Sequence, residues 1–223
     1  MARLKEYNGH YCESEYEYAF IGFLEAEGWK YSSGNNISRV TKRDVLIADD
    51  FKKFIADTNP DLTEDEVIQI YDNVRLVGAE SDFATLHKVY GWMVNGVQFT
   101  TQDGLPRMIP LIDFDNWDKN IFRVVNQFTV EYTNNGQKEN RRPDVLLFVN
   151  GMPLCVIELK NPADANATIY DAWEQINIRY WRDIPHLLHY CPLACISDGV
   201  KTRLGTVRTP YEHFYAWRRV NEG

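Results

Sequence analysis

The sequence lacks the features that place a protein in a membrane or on a secretory route. No apolar run approaches the ~18 residues of a membrane span, and the opening MARLKEYNGHYCESEYEYAF has no signal-peptide core. We therefore expect a cytoplasmic protein with no membrane partner. The four cysteines form no CxxC pair. Cys191 and Cys195 make one CxxxC, a poor zinc signal, so buried free thiols are expected.

The chain also lacks a GxxxxGK[ST] phosphate loop, internal repeats and a clear linker. Nothing in it is therefore expected to hydrolyse ATP. Positive charge is scarce, with 24 Lys and Arg against 32 Asp and Glu, which gives a net charge of −8. Phosphate contacts need Lys and Arg, so this balance weighs against a nucleic-acid partner. Clustered carboxylates, however, are what a divalent-cation site requires. Net charge alone decides nothing here.

The 223 residues are 44% apolar, which suits an ordinary globular protein of one or two domains. Capping boxes at Ser14 and Thr63 predict helices, and further helices are expected over about 45–56, 81–93 and 168–183. Strand-like segments predict a meander of antiparallel strands over 97–158, and LACISDG predicts one more buried strand. We expect an α/β fold with a mixed, largely antiparallel central sheet flanked by helices. Its helical part covers about 14–95 and its sheet core about 96–207.

The most informative stretch is RPDVLLFVNGMPLCVIELKNP. Asp144 stands at the head of an apolar strand, and Glu158 and Lys160 stand near the tail of the next. Residues two apart in a strand share a face, so Glu158 and Lys160 point the same way while their neighbours pack. Phosphodiester hydrolysis uses such groups, because carboxylates hold a hard cation and a lysine can orient water and offset charge. The alternative is a solvated pair of strand-end charges, although charges in apolar strands are costly unless used.

The length of the connecting loop decides whether the two acids meet. A two-residue turn at Asn150-Gly151 pairs Asp144 with Ile157 and separates the acids, whereas a three-residue loop pairs Asp144 with Glu158. In the second case the Cβ atoms lie ~5 Å apart, a suitable span for one cation. Function favours the longer loop, in which Gly151 supplies a left-handed residue.

This stretch closely resembles the endonuclease motif of the restriction (R) subunit of type I restriction enzymes, a family of the PD-(D/E)xK nuclease superfamily. The resemblance extends to LIDFDNWDKNIFRVVNQFTVE, RDIPHLLHY, ISDG and TPYEHFYAWRR, and covers most of residues 14–219. It implies a restriction-endonuclease-like core forming a single nuclease domain over 1–223. It also implies Mg²⁺-dependent cleavage of double-stranded DNA. The chain ends at Gly223 without a motor motif, so we expect a fragment of a longer polypeptide.

The resemblance further implies roles for individual residues. Asp144 and Glu158 correspond to the metal-binding acids and Lys160 to the catalytic lysine. An acid on the first helix assists the site in this family, and Glu15 is the better match, with Glu17 possible. The implied partners are DNA, the modification and specificity subunits, and C-terminal motor domains of the same polypeptide. ATP would act only through those motor domains.

The family's QxxxY motif is one residue longer here, because five positions separate Gln175 from Tyr180. Five positions on an α-helix turn two side chains ~140° apart. Either a π-bulge restores the pairing, or the roles fall on Gln175 and Arg179. Helical spacing puts Gln175, Arg179 and Arg182 on one face. We therefore expect Gln175 and Arg179 to face the catalytic cleft, and Arg179 and Arg182 to contact DNA. Tyr180→Phe should then have a mild effect.

Two other functions remain open from sequence. The first is a nuclease-like fold that serves only as an assembly module and does not cut. Intact Asp144, Glu158 and Lys160 speak against it. The second is a stand-alone nuclease of the same superfamily, acting in repair or transposition.

Overall fold

A seven-stranded mixed sheet forms the centre of the structure, a computed structural model that describes residues 13–78, 81–161 and 168–216. The strands in chain order are β1 (Lys30–Ser33), β2 (Val97–Thr100), β3 (Pro106–Ile109), β4 (Phe122–Asn126), β5 (Val130–Asn134), β6 (Gln137–Arg141), β7 (Val145–Val149), β8 (Met152–Leu159), β9 (Leu193–Ser197), β10 (Thr202–Thr206) and β11 (Tyr215–Ala216). The central sheet has the order β1-β4-β7-β8-β9-β10-β11. Among the described strands, β1/β4 and β8/β9 pair in parallel and the other neighbours are antiparallel. The expected α/β fold with a mixed, largely antiparallel sheet is confirmed.

Helices cover both faces of this sheet. They are α1 (Glu13–Ala26), α2 (Ala48–Thr58), α3 (Glu64–Arg75), α4 (Asp82–Asn95), α5 (Ile169–Glu174), a π-helical segment (Gln175–Tyr180), α6 (Trp181–Asp183) and α7 (Pro185–Leu188). Ile21 of α1 packs on one face of the sheet, while α2, α3 and the segment after β8 pack on the other. Because β7 and β8 are buried on both faces, their sequences are almost continuously apolar. Among the described residues, no helix has the length and apolar character needed to cross a membrane.

Of the two predicted capping boxes, the structure confirms the one at Thr63. The Thr63 hydroxyl accepts a hydrogen bond from the Glu66 amide, and the Glu66 carboxylate accepts one from the Thr63 amide, so this capping box is confirmed. The helix predicted over about 81–93 is present as α4, and the Ser81 hydroxyl caps it by accepting a hydrogen bond from the Ala84 amide. The predicted capping box at Ser14 is not tested, because α1 is described from Glu13 onward and the Ser14 side chain lies outside the described part of the chain.

The predicted meander is wrong in its connectivity. The β2/β3 and β5/β6 hairpins form two separate two-stranded sheets instead of joining the central one. The apolar run FRVVNQFTVEY is divided by Gln127, whose φ of 56° takes the chain out of extended geometry between β4 and β5. The cysteine prediction is confirmed for Cys155, Cys191 and Cys195, which are buried and free. Cys12 lies outside the described residues.

The turn between β7 and β8 is held by buried contacts to distant parts of the chain. Asn150 is fully buried and accepts a hydrogen bond from the Ile121 amide at 2.8 Å. Its side-chain amide donates to the Leu111 carbonyl at 2.9 Å. Gly151, at a φ of 76°, lies so close to the Ile47 carbonyl that a Cβ atom would sit 2.3 Å from it. Only glycine fits this approach.

Candidate active site

The turn that joins β7 to β8 is shorter than predicted. Val149 pairs directly with Met152, so the loop has two residues, and the expected three-residue loop is wrong. A β-bulge then corrects the register. Phe148 still pairs with Pro153, but Leu147 pairs with Cys155, which leaves one extra residue on β8. This extra residue shifts the remainder of β8 by one position relative to β7.

The bulge brings the two acids together. Beyond it, Val145 pairs with Ile157. The same register carried one residue further sets Asp144 opposite Glu158, so both side chains share a face of the sheet. Asp144 is further fixed by its Oδ2 atom, which accepts a hydrogen bond from the Leu159 amide at 2.7 Å. The predicted juxtaposition of the acids is therefore present, although a bulge and not a longer loop produces it.

Glu158 is fully buried, and both of its oxygens have partners. Oε1 accepts a 2.6 Å hydrogen bond from the Tyr180 hydroxyl, and Oε2 accepts a 2.7 Å bond from the Gln175 amide. The same Gln175 accepts a 3.0 Å bond from Lys160 Nζ through its own oxygen. Lys160 Nζ lies 4.0 Å from Glu158 Oε2. Gln175 therefore bridges Lys160 and Glu158 through its amide oxygen and nitrogen.

This environment changes how readily Glu158 ionises. Burial raises its pKa well above the ordinary value, and the negative charge of Asp144 raises it further. The Tyr180 hydrogen bond and the Lys160 charge act in the opposite direction but do not cancel these effects. A cation between Asp144 and Glu158 would stabilise both carboxylates and so lower the raised pKa of Glu158.

Tyr180 reaches Glu158 because the helix changes its winding. The residues Gln175–Tyr180 form a π-helix between α5 and α6. This wider turn absorbs the additional residue of the motif. Gln175 donates a hydrogen bond to the Tyr180 hydroxyl at 2.9 Å. The interpretation in which Arg179 replaces the tyrosine is therefore wrong, and Arg179 is exposed to solvent.

The acid from the first helix that faces this site is Glu17 and not Glu15. Glu17 is buried, and its pKa is raised by burial and by the charge of Asp144. Residues two apart on an α-helix point ~200° apart, so Glu15 is directed away from the side that Glu17 presents to Asp144. The preference for Glu15 in the sequence interpretation is not supported by this geometry.

Sequence reasoning missed the residues that hold Glu17. Asn126, at the buried end of β4, donates a 2.5 Å hydrogen bond to Glu17 Oε1. The Tyr31 hydroxyl donates to Asn126 Oδ1 at 3.0 Å, and this bond orients the amide. A polar residue closing the apolar strand FRVVN was the available signal, since a buried amide needs partners.

The two arginines expected to face DNA differ in their surroundings. Arg182 is exposed but forms an ion pair with Asp183 at 2.7 Å, and Arg141 shares the same carboxylate at 2.6 Å. Arg179 forms no ion pair among the described residues. Arg182 is therefore held in an ion pair, whereas Arg179 has none in the described part of the chain.

Asp144 and Glu158 are the side chains that could hold a cation. Each carboxylate oxygen has two lone pairs, so the hydrogen bonds described above leave acceptor capacity. In the described part of the chain, no group of three or more acids, histidines or cysteines is gathered as a complete ligand set. A cation bound here would take its other ligands from water, backbone or substrate.

Comparison with known proteins identifies the family. The profile of the type I restriction enzyme R protein N terminus matches residues 11–213. A Methanocaldococcus jannaschii protein, provisionally named type I restriction enzyme MjaIXP endonuclease subunit, is 34% identical over 214 residues. The type I restriction enzyme HindI endonuclease subunit of Haemophilus influenzae is 31% identical over 224 residues. These matches cover 92% and 94% of this chain but 20% of each relative.

A shorter match supports the same assignment. The type I restriction enzyme SauCOLORF180P endonuclease subunit of Staphylococcus aureus is 34% identical over 95 residues, which are 43% of this chain and 9% of that protein. The chain spans about a fifth of the length of the two relatives that it matches almost throughout. The profile match over nearly the whole chain shows that it belongs to the family of N-terminal regions of type I restriction enzyme R proteins.

Proposed function

We propose that this chain is the nuclease region of an R subunit and hydrolyses phosphodiester bonds of double-stranded DNA with Mg²⁺. The observation that carries the proposal is the convergence of Asp144, Glu158 and Lys160 through the bulge, with Gln175 bonded to both Glu158 and Lys160. Burying one carboxylate beside another costs free energy unless a positive charge compensates the pair. A bound divalent cation in a hydrolase would supply that charge.

The paired carboxylates fit a divalent cation. Glu158 is fully buried and has its pKa raised by Asp144, an arrangement that a bound cation stabilises. Asp144 and Glu158 would hold the ion, and their hard oxygens match Mg²⁺. When bound, Mg²⁺ polarises a phosphoryl oxygen and acidifies a water molecule.

The remaining residues orient the reacting groups. Gln175 holds the Lys160 ammonium beside Glu158, where it can donate to the attacking water or offset charge on the phosphate. Tyr180 holds the other oxygen of Glu158 and so fixes the direction of the carboxylate. Glu17, held by Asn126, adds a further carboxyl group within electrostatic range of Asp144, which would favour a cation there.

The partners proposed for the complete protein follow from the family. The names of the relatives describe endonuclease subunits of type I restriction enzymes. We expect this region to act in the cytoplasm with modification and specificity subunits, and with motor domains that consume ATP on the same polypeptide. Arg179 and Arg182 lie exposed beside the site and would contact DNA phosphates.

Lys160→Ala in the complete restriction enzyme tests the cleavage function. DNA cutting should be abolished, while ATP hydrolysis continues because the motor is a separate part of the protein. Lys53→Ala is the matched control, since Lys53 is an exposed lysine on α2 that forms an ion pair with Asp57. Cutting by the folded Lys160→Ala enzyme within several-fold of wild type would rule the function out.

Cation binding is tested separately by Mn²⁺ relaxation or calorimetry on this chain. Binding should be weak without DNA, because water fills most ligand positions. Asp144→Asn should reduce it further, whereas Asp57→Asn, at an exposed ion pair, should not. Equal binding by wild type and Asp144→Asn would place the cation elsewhere.

A further inference from the structure

A small cavity of about 240 Å³ lies beside the candidate active site. Its lining residues come from the end of β6, the segment leading to Asp144 and the π-helix. They are Asn140, Arg141, Arg142, Gln175, Arg179 and Tyr180. Gln175 and Tyr180 also bind Glu158, so the cavity and the site share a wall.

The charge in this cavity is positive and partly uncompensated. Arg141 and Arg182 both pair with Asp183, and this ion pair ties the base of the β5/β6 hairpin to α6. Arg142 and Arg179 are exposed and form no ion pair or hydrogen bond with a carboxylate in the described part of the chain. Two guanidinium groups that form no ion pair among the described residues thus line one cavity in a chain of net charge −8.

Arg142 also lies near the acid of the first helix. Burial raises the pKa of Glu17, the charge of Asp144 raises it further, and the charge of Arg142 lowers it. Arg142 therefore lies within electrostatic range of Glu17 and also lines the cavity. The exposed Asn140 adds a neutral amide donor to the cavity wall. Guanidinium forks and amides are the groups that bind phosphate oxygens.

We propose that this cavity binds a backbone phosphate of double-stranded DNA, on the strand that is cut and adjacent to the phosphate that is hydrolysed. This inference rests on the proposed nuclease function. Arg142 and Arg179 hold the phosphate from two separate elements, and the Asp183 ion pairs keep those elements at a constant distance. The contact carries no base information, which suits an enzyme region that does not itself read sequence.

The experiment measures binding of a short DNA duplex to this chain by fluorescence anisotropy in EDTA, so that no cleavage occurs. Arg142→Gln and Arg179→Gln should each weaken binding about tenfold at low salt. Each should also reduce the slope of log K against log [salt] by about 0.9, the value for one lost phosphate contact. Arg107→Gln is the matched control, because Arg107 lies on β3, does not line the cavity and forms an ion pair with Asp61. Arg142→Lys, which keeps the charge, should restore part of the loss.

The proposal is overturned if both variants bind like Arg107→Gln, or if wild type does not bind the duplex. Thermal unfolding of each variant excludes misfolding as the cause of a loss, and the exposure of both side chains makes misfolding unexpected. If Arg142→Gln and Arg179→Gln bind DNA normally while cleavage depends on Lys160, the phosphate-binding proposal is wrong and the nuclease function stands. If the two variants bind DNA weakly but Lys160→Ala cuts normally, the nuclease function is wrong and the cavity is an anion-binding site.

Discussion

The Tyr180 hydroxyl donates a 2.6 Å hydrogen bond to Oε1 of Glu158. A regular α-helix would turn Tyr180 ~140° away from Gln175, and the π-helix brings both side chains to Glu158. The side chains of Tyr180 and Glu158 are almost completely buried. The bond therefore lies in a low-dielectric environment, where a donor to a carboxylate counts for more than in water. The position of this hydroxyl in the candidate active site therefore depends on the π-helix at Gln175–Tyr180.

Tyr180→Phe should consequently be damaging instead of mild. The change leaves Glu158 Oε1 without its donor, and a hydrogen bond to a charged group is worth about 1.5–3 kcal/mol. We expect a loss of about tenfold or more in DNA cleavage by the complete enzyme. Tyr170→Phe, at an exposed tyrosine on α5, is the control. Cleavage at the wild-type rate would mean that the hydroxyl does not position Glu158.

Deleting Ile178 should be tolerated. The deletion returns the motif to a spacing of four residues, so a regular α-helix can again direct Gln175 and the tyrosine to Glu158. Ile178 is exposed, and its removal leaves no cavity. We expect a folded protein that retains cleavage within several-fold of wild type. Deleting Ile176, which is fully buried, should destabilise the domain by about 2–5 kcal/mol in denaturant unfolding. Equal damage from both deletions would contradict the proposed role of the π-helix.

Glu17→Gln and Glu15→Gln should separate the two acids of α1. Glu17 lies within electrostatic range of Asp144, so neutralising it removes negative charge from the proposed cation site. We expect Glu17→Gln to weaken Mn²⁺ binding and reduce cleavage about tenfold. Glu15→Gln should stay within twofold of wild type. The assignment of Glu17 would be wrong if the two variants exchanged these effects.

The raised pKa of Glu158 predicts how stability depends on pH without metal. A carboxyl whose pKa is raised in the folded state contributes stability below its ordinary pKa near 4.5. That contribution is lost as pH rises through the folded-state pKa. In EDTA at pH 8, Glu158→Gln should therefore melt at a higher temperature than wild type, by roughly 2–4 °C for each kcal/mol recovered. The difference should shrink as pH falls.

Two comparisons make this thermal measurement decisive. Mg²⁺ should raise the melting temperature of wild type but not of Glu158→Gln, because the variant lacks one of the proposed ligands. Glu25→Gln, at an exposed position of α1, should change neither result. A lower melting temperature for Glu158→Gln at every pH would show that the charged carboxylate is not the source of instability.

Elements whose pattern is local could be predicted from sequence. The nearly continuous apolar strands around Asp144, Glu158 and Lys160, and the capping box at Thr63, are signalled by neighbouring residues alone. The strands β1, with the sequence KYSS, and β6, with QKENR, were not predicted. Their polar residues carry no strand signal, and each forms because a partner strand supplies its backbone hydrogen bonds.

The sequence by itself determined which acids and which lysine stand near one another along the chain. Only the tertiary structure decided how they meet. Asn150 finds backbone partners at Leu111 and Ile121, which are distant in sequence, and these bonds favour the two-residue turn. With this two-residue turn, the one extra residue that the bulge adds to β8 is what places Asp144 and Glu158 on the same face. Such choices depend on long-range hydrogen bonds and burial, and no local pattern records them.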